Sequence, residues 1–365
     1  MKKQLLYFLM TSMLTGLSAQ EIIPIDTNTW TINSNSYVLE NFKGKDAIYM
    51  KAGNMVLKGE TFLNGTIEYD IYLKKEQSFP GVYFRAQDSG DAEQFYLRPH
   101  LPGKSDANQA VPLTKGISPW QLYFGPRYSF PYEYNYDDWT HVKLVVNDDK
   151  AQVFLDYSET PNLSWNLFHT PKEGRVALSA GNRSGMHLAN IRIDKKSTEI
   201  INFNPIEREP IERLVQEWEI SDMFEEKDLN DPTTVKSVIE KRTWEGTIKV
   251  EEGTAANISR HQQLYDGNPG NTVFAKIEIN SAKDQIKLFE FGYSDRVVAI
   301  LNGQPVYRGN NKWRSRDYRY LGTIGLFDSI YLNLKKGKNT LLFAVSEDFG
   351  GWLITGRFKN SDGLK

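Results

Sequence analysis

A chain of 365 residues is too long for a single compact core and predicts two domains of ordinary size. Its net charge of −2 excludes the strongly basic surface that is typical of proteins that bind nucleic acids or anionic membranes. The absence of cysteine excludes disulfides, thiolate metal sites, cysteine nucleophiles and a lipidated cysteine. An aromatic content of 13% is typical of β-structure and of surfaces that bind flat polar ligands.

The N-terminus has the pattern of an export signal. MKK supplies positive charge, LLYFLMTSMLTGL is apolar but short for a membrane span, and small residues precede Gln20. We therefore predict a signal peptide over residues 1–20 and no membrane span in the rest of the chain. A disulfide-free exported protein is typical of bacteria, so we expect a periplasmic or secreted bacterial protein.

The next block, residues 21–198, is dominated by alternation of apolar and polar residues, which predicts β-strands. TIEYDIYL is the clearest case. Ile67 and Ile71 point to one face of this strand, whereas Glu68 and Asp70 point to the other.

The same alternation recurs along the block in GVYFRAQ, FYLRPH and WQLYFG. Pro99 indicates that the strand in FYLRPH bends or ends there. HVKLVVNDDKAQVFLD predicts a hairpin around residues 147–150, and GMHLANIRID closes the block. Residues 21–198 are therefore predicted to form one β-sandwich.

A second β-block, residues 218–365, follows a charged, proline-containing linker at residues 199–217. DRVVAILNGQPVYRG predicts a hairpin, because Asn302-Gly303 suits a type I′ turn. IYLNLKKGKNTLLFAV predicts another hairpin, before a terminal strand in WLITGRF. The fold class is thus all-β, with two antiparallel β-sandwich (jelly-roll) domains.

Both blocks resemble known families. FLNGTIEYDIYL, GVYFRAQ, FYLRPH, WQLYFG and HLANIRID resemble the concanavalin A-like lectin/glucanase superfamily, in a laminin-G-like branch near the 3-keto-disaccharide hydrolase group. DRVVAILNGQPVYRG with KKGKNTLLFAVSEDFGGW resembles a galactose-binding-like jelly roll. The resemblance implies a carbohydrate-related role for both halves, with a glycan on the concave sheet of the first.

The polar sides of the strands in the first block supply candidate ligand-binding residues. If these strands are neighbours in one sheet, their rings, cations and amides line one surface that suits an oligosaccharide. The alternative is an ordinary solvated face. The predicted substrate-binding residues are Tyr72, Tyr83, Arg85, Gln87, Tyr96, Gln109, Gln121 and Tyr123. Because arginine favours planar acidic groups, a uronate or sulfated sugar is the expected variant of the ligand.

Four residues are candidates for catalysis. Glu68 and Asp70 share a strand face about 6.5–7 Å apart, within the range for two carboxylates that act on a glycosidic bond. The glucanases that the first block resembles carry a further glutamate shortly after this pair, which this chain lacks. A lyase would instead need a base and a neutralising partner, roles that His100 with either Arg98 or Tyr96 could fill.

The expected function is therefore that of an exported glycan-processing protein, a hydrolase or lyase that acts on a polysaccharide or its oligosaccharides. The alternative is a non-catalytic carbohydrate-binding protein. No cofactor is indicated, and the metal content and oligomeric state stay open. The acidic segments DSGDAE (residues 88–93) and YDGNPGN (residues 265–271) leave a structural calcium ion as an alternative to ordinary turns.

Overall fold

The computed structural model describes residues 22–264, 268–312 and 316–365, and the predicted signal peptide lies outside these residues. Strands β1–β11 form the N-terminal sandwich. They are β1 (Trp30–Asn33), β2 (Ser36–Phe42), β3 (Lys45–Leu57), β4 (Gly65–Leu73), β5 (Gly81–Ala86), β6 (Ala92–Leu97), β7 (Asn108–Leu113), β8 (Asp138–Asn147), β9 (Lys150–Leu155), β10 (Leu163–Asn166) and β11 (Arg175–Asp194).

Strand β11 joins the two layers of this sandwich. Its first part pairs with β5, its last part pairs with β4, and β3 runs antiparallel along its other edge. Register shifts on either side of Gly181 separate the two parts. Gly181 has a positive φ of 85°, and a Cβ there would lie 2.3 Å from Ser78 Oγ, so glycine is needed at this bend.

Two layers therefore face each other across one core. One layer runs β7-β6-β5-β11, and the other runs β10-β9-β8-β4-β11, with β3 and β2 beyond β11. A single cluster of buried side chains fills the space between them, including Ile67, Tyr69 and Ile71 of β4 with Phe84 of β5 and Phe95 of β6. The predicted inward face of TIEYDIYL is thus confirmed.

Ten further strands form the C-terminal sandwich. They are β12 (Glu217–Ser221), β13 (Trp244–Glu251), β14 (Ala255–Asn257), β15 (Thr272–Ser281), β16 (Gln285–Ser294), β17 (Arg296–Leu301), β18 (Gln304–Asn310), β19 (Asp328–Leu334), β20 (Gly337–Ser346) and β21 (Leu353–Phe358). The helices among the described residues are short: α1 (Val235–Glu240) and 3₁₀ turns at Glu226–Leu229 and Ile258–Arg260.

Strand order in this sandwich is β18-β17-β20-β15-β12-β13-β14-β21-β16-β19, and all pairs are antiparallel. The predicted β17–β18 hairpin is confirmed, with positive φ at both Asn302 and Gly303. The predicted hairpin in IYLNLKKGKNTLLFAV is wrong. β19 pairs with β16 and β20 pairs with β15 and β17, so residues 335 and 336 cross between layers.

The two sandwiches pack directly against each other. Ala255, Ile324 and Leu353 of the second belong to the core cluster of the first. Hydrogen bonds cross the junction from Ile324 N to Gln121 O at 2.8 Å and from Lys115 Nζ to His261 O at 2.7 Å. No described helix has the length and apolar character needed to cross a membrane.

Candidate functional site

The outer face is the surface of β8, β4 and the last part of β11 that points away from the core. Strand register arranges its side chains in rows across these three strands, because directly opposed residues on paired strands point to the same side. The rows are Lys143–Glu68–Arg192, then His141–Asp70 with Asn190 at an adjoining bulge, then Trp139–Tyr72–His187. Predicted residues Glu68, Asp70 and Tyr72 therefore do lie together on one face.

The centre of the outer face is a chain of four side chains, joined by hydrogen bonds at Asp70 and by a longer ion-pair contact between His141 and Glu68. Asp70 Oδ2 accepts from Lys45 Nζ at 2.7 Å and from Asn190 Nδ2 at 2.6 Å. Asp70 Oδ1 lies 2.7 Å from His141 Nδ1, and His141 Nε2 lies 3.6 Å from Glu68 Oε2. We call Lys45, Asp70, His141 and Glu68 the relay.

Exposure changes along the relay. The side chains of Asp70 and His141 are 2% and 5% exposed, whereas that of Glu68 is 21% exposed. A ligand on the outer face can therefore reach Glu68, while Asp70 and His141 lie behind it.

The relay shifts the proton affinities of its members. Burial alone would lower the pKa of His141, but the hydrogen bond to Asp70 and the nearby Glu68 carboxylate outweigh it and raise that pKa. Burial would raise the pKa of Asp70, but hydrogen bonds from His141, Lys45 and Asn190 lower it. The contact with His141 also lowers the pKa of Glu68. Both carboxylates are thus ionised at neutral pH, and their charges favour the protonated form of the imidazole between them.

Aromatic rings border the relay on two sides. The Tyr157 ring stacks on His141 with centroids 4.0 Å apart and planes 5° apart, and Tyr157 is 73% exposed. Lys45 Nζ lies 4.7 Å from the ring centroid of Trp139. Phe42 stacks on His187 with centroids 3.6 Å apart. An exposed ring beside charged groups can pack on the apolar side of a sugar while the charges bind its hydroxyls.

The predicted residues Arg98, Tyr96 and Gln109 form a separate, closed network. Arg98 is 1% exposed and forms an ion pair with Asp106. Its Nη2 also donates to the Tyr96 hydroxyl at 2.7 Å and to Gln109 Oε1. Every partner is buried, so the Arg98 network shares no contact with the relay and offers no exposed group to a ligand.

Gln121 and Tyr123 belong to the junction between the sandwiches. WQLYFG is not a strand as predicted but a turn, in which Leu122 N donates to Pro119 O. The Tyr123 hydroxyl donates to Glu251 Oε2 at 2.5 Å. Gln121 Oε1 accepts from Gly351 N at 2.9 Å. Contacts with the second sandwich, rather than a ligand, account for these polar groups.

The remaining predicted residues lie around β5 and the end of β6. The Arg85 guanidinium donates to the carbonyls of Leu63 and Asp148 at 2.7 Å each, and Gln87 Nε2 donates to Glu173 O at 2.9 Å. Tyr83 is largely buried, which raises the pKa of its hydroxyl. His100 follows the end of β6, as Pro99 predicted, and both of its ring nitrogens are buried without a hydrogen-bond partner.

The expected single surface is therefore divided. Glu68 and Asp70 lie where β4 meets the last part of β11, whereas β5 meets the first part of β11, beyond the Gly181 bend. Local alternation correctly assigns Glu68 and Asp70 to the outward face of β4, but the bend places β4 and β5 in different layers.

No group of three or more His, Asp or Glu side chains among the described residues is placed to hold a metal ion. In the acidic segment of residues 88–93, Asp91 accepts from Lys115 N at 2.8 Å, and Glu93 accepts from His169 N at 2.9 Å. The other acidic segment lies partly outside the described residues, at 265–267.

His141 is the functional candidate that the sequence analysis missed. It is the first residue of the predicted hairpin HVKLVVNDDKAQVFLD and lies in β8, where Trp139, His141 and Lys143 alternate with Thr140, Val142 and Leu144. That period-two pattern places His141 on the outward side of β8. Only the pairing of β8 with β4, however, places it opposite Asp70.

Comparison with known proteins gives no family. No protein-family model matches the sequence, and no curated protein matches it. Solved structures of glycoside hydrolases, glucanases and carbohydrate-binding modules are similar to part of the chain.

Three of these structures illustrate the level of similarity. The carbohydrate-binding module CBM66 from Bacillus subtilis is 13% identical, with 45% of this chain and 93% of that chain covered and a TM-score of 0.35. A β-glucanase from Bacillus licheniformis is 10% identical, with 48% and 96% covered and a TM-score of 0.35. A putative glycosyl hydrolase from Parabacteroides distasonis is 14% identical, with 47% and 89% covered and a TM-score of 0.32.

Proposed function

We propose that this is an exported glycan-processing protein whose site is the outer face of the N-terminal sandwich. The observation that carries the proposal is the relay, which connects a buried Asp70–His141 pair to the partly exposed carboxylate of Glu68. Asp70 orients His141, His141 holds a proton beside Glu68, and Glu68 meets the ligand. This division of roles matches the requirements for a positioned proton acceptor.

A hydrolase or a lyase would use the relay differently. Hydrolysis by two carboxylates needs one carboxyl that stays protonated near neutral pH. Glu68 and Asp70 both have lowered pKa values, so neither supplies that acid. Proton abstraction by ionised Glu68, with His141 behind it, needs no such carboxyl. Asp70 is also only 2% exposed and is held by Lys45, His141 and Asn190, so a second carboxyl does not reach the ligand and the arrangement favours a lyase over a two-carboxylate hydrolase.

The proposal extends to the parts of the chain that flank this site. Residues 1–20 act as a signal peptide, so the protein works in the periplasm or outside the cell. Residues 21–198 form the concanavalin A-like, laminin-G-like domain, and residues 218–365 form a galactose-binding-like domain. Residues 199–217 connect the two domains.

The test is product detection by mass spectrometry after the mature protein is incubated with neutral and acidic polysaccharides. Glu68→Gln keeps the shape of the side chain but removes the proton acceptor, so we expect product formation to fall by about a hundredfold or more. Glu60→Gln is the matched control, because Glu60 is an exposed residue of the same sandwich whose partner is Lys195. Equal rates for Glu68→Gln and the native protein would contradict the proposal.

A non-catalytic glycan-binding protein is the second candidate. It is favoured by the exposed Tyr157 ring and by the low basicity that a lowered pKa gives Glu68. Binding of one glycan class without products, and with equal affinity in Glu68→Gln, would establish this candidate instead.

A further inference from the structure

Two cations flank Glu68 on the outer face. Lys143 of β8 and Arg192 of β11 are its direct cross-strand neighbours, one on each side. Opposed residues in antiparallel strands have Cβ atoms about 4.5–5.5 Å apart, so all three side chains can contact one ligand group. Both cations lower the pKa of Glu68 through their charge, after the larger effect of the His141 contact.

These two cations differ from Lys45 and Arg98 in having no fixed carboxylate partner. Within the described ranges, neither Lys143 nor Arg192 forms an ion pair. Lys45, in contrast, is bound to Asp70, and Arg98 is bound to Asp106. The side chains of Lys143 and Arg192 are partly exposed, and Lys143 Nζ lies 5.4 Å from the ring centroid of Phe154. Two cations without carboxylate partners beside Glu68 indicate a ligand that brings its own negative charge.

We propose that the outer face acts on uronate-containing glycans, with the sugar carboxylate held by Arg192 and Lys143; this inference rests on the proposed function. Neutralising a carboxylate makes the proton on the adjacent carbon easier to remove. The base must lie beside the same cations, and Glu68 does. The arginines from which the sequence predicts an acidic ligand, Arg85 and Arg98, are occupied by internal partners.

The reaction that this arrangement supports is a β-elimination. Glu68 accepts the proton from the carbon next to the carboxylate, and the electrons of that C–H bond form a double bond to the neighbouring ring carbon. The bond from that ring carbon to the glycosidic oxygen breaks, and the proton held by Glu68 passes to the departing oxygen. The products are one chain that ends in an unsaturated uronate and one with a new hydroxyl, and no water is consumed.

The test compares polygalacturonate, alginate and hyaluronan with dextran and dextran sulfate. Binding is measured by titration calorimetry, and products are analysed by mass spectrometry. We expect the mature protein to bind a polyuronate but not dextran, with fragments lighter by one water than hydrolysis products. Arg192→Gln and Lys143→Gln should each weaken polyuronate binding by about tenfold or more. Lys172→Gln, on an exposed loop of the same sandwich, should bind like the native protein.

The outcomes separate this inference from the function on which it rests. Activity on dextran alone would leave the proposed function standing and overturn the acidic-sugar inference. Equal binding of dextran sulfate and the polyuronates, or unchanged binding in Arg192→Gln, would also overturn it. Fragments that carry an added water would replace elimination with hydrolysis. Neither binding nor products with any of these glycans would overturn the inference and the proposed function together.

Discussion

The relay and the Arg98 network use the same chemistry in opposite settings. Each contains an aspartate that accepts from a cationic side chain, and each has an aromatic ring in contact with it. The relay ends at Glu68, which is 21% exposed, whereas Arg98 and Asp106 are 1% and 2% exposed. Exposure, not residue type, therefore separates a group available to a ligand from one that stabilises the fold.

Their connections to the rest of the chain differ as well. Asp106 Oδ2 accepts from the backbone N–H of Leu321 in the C-terminal sandwich at 2.7 Å. The relay draws its members from β3, β4 and β8 of the N-terminal sandwich alone. The Arg98 network thus helps to hold the two sandwiches together, while the relay is supported within one of them.

The largest expected effect that tests this comparison is on stability. Asp106→Ala leaves a buried guanidinium unpaired, and we expect it to lower the free energy of unfolding by about 3–5 kcal/mol. Urea denaturation followed by tryptophan fluorescence measures the change. Asp88→Ala is the control, because the exposed Asp88–Arg175 pair should contribute less than about 1 kcal/mol. Equal effects of the two substitutions would mean that the Arg98 network is not a stabilising element.

The next effect is on how the stability of the protein depends on pH. His100, which lies close to Arg98, and His141 of the relay have pKa values that are shifted in opposite directions. Burial, with a further contribution from Arg98, lowers the pKa of His100 from 6.5 to about 4, whereas the relay raises that of His141. His100 therefore costs stability as pH falls from 6.5 toward 4. His141 contributes stability that is full below pH 6.5 and is lost as pH rises through its raised pKa.

Nuclear magnetic resonance of the histidine ring signals measures both pKa values. The chain has five histidines, and the variants His100→Gln and His141→Gln assign the two signals. A His100 signal that titrates above pH 6.5 would show that its ring is open to solvent. The proposed difference in exposure between the surroundings of Arg98 and the relay would then not hold.

How far the sequence predicts these regions depends on the range of the interactions. Alternation within TIEYDIYL is local, and it correctly places Glu68 and Asp70 on the outward side of β4. The contact of Asp70 with His141 joins residues 71 positions apart and depends on strand order, which alternation does not encode. The burial of Arg98 depends on packing between loops and the second sandwich, which is also non-local. The same limit explains the wrong hairpin at β19 and β20. Two alternating segments joined by a short polar turn can pair with each other or cross to different layers, and the local sequence pattern is the same in both cases.

The smallest expected effect on stability is that of removing the Tyr157 ring. This substitution separates ligand binding from stability most clearly, because its larger expected effect is on glycan affinity. Tyr157 is 73% exposed and stacks on His141, so Tyr157→Ala should lower the free energy of unfolding by less than about 1 kcal/mol. Glycan affinity, measured by calorimetry, should fall by about threefold to tenfold, because the ring is available to pack on a sugar. Tyr331 is the matched control: it is 74% exposed on the other sandwich, and Tyr331→Ala should change neither quantity. If both substitutions left affinity unchanged, the Tyr157 ring would not be part of the binding surface. The ligand would then have to be bound by Lys143, Glu68 and Arg192 without an aromatic contact.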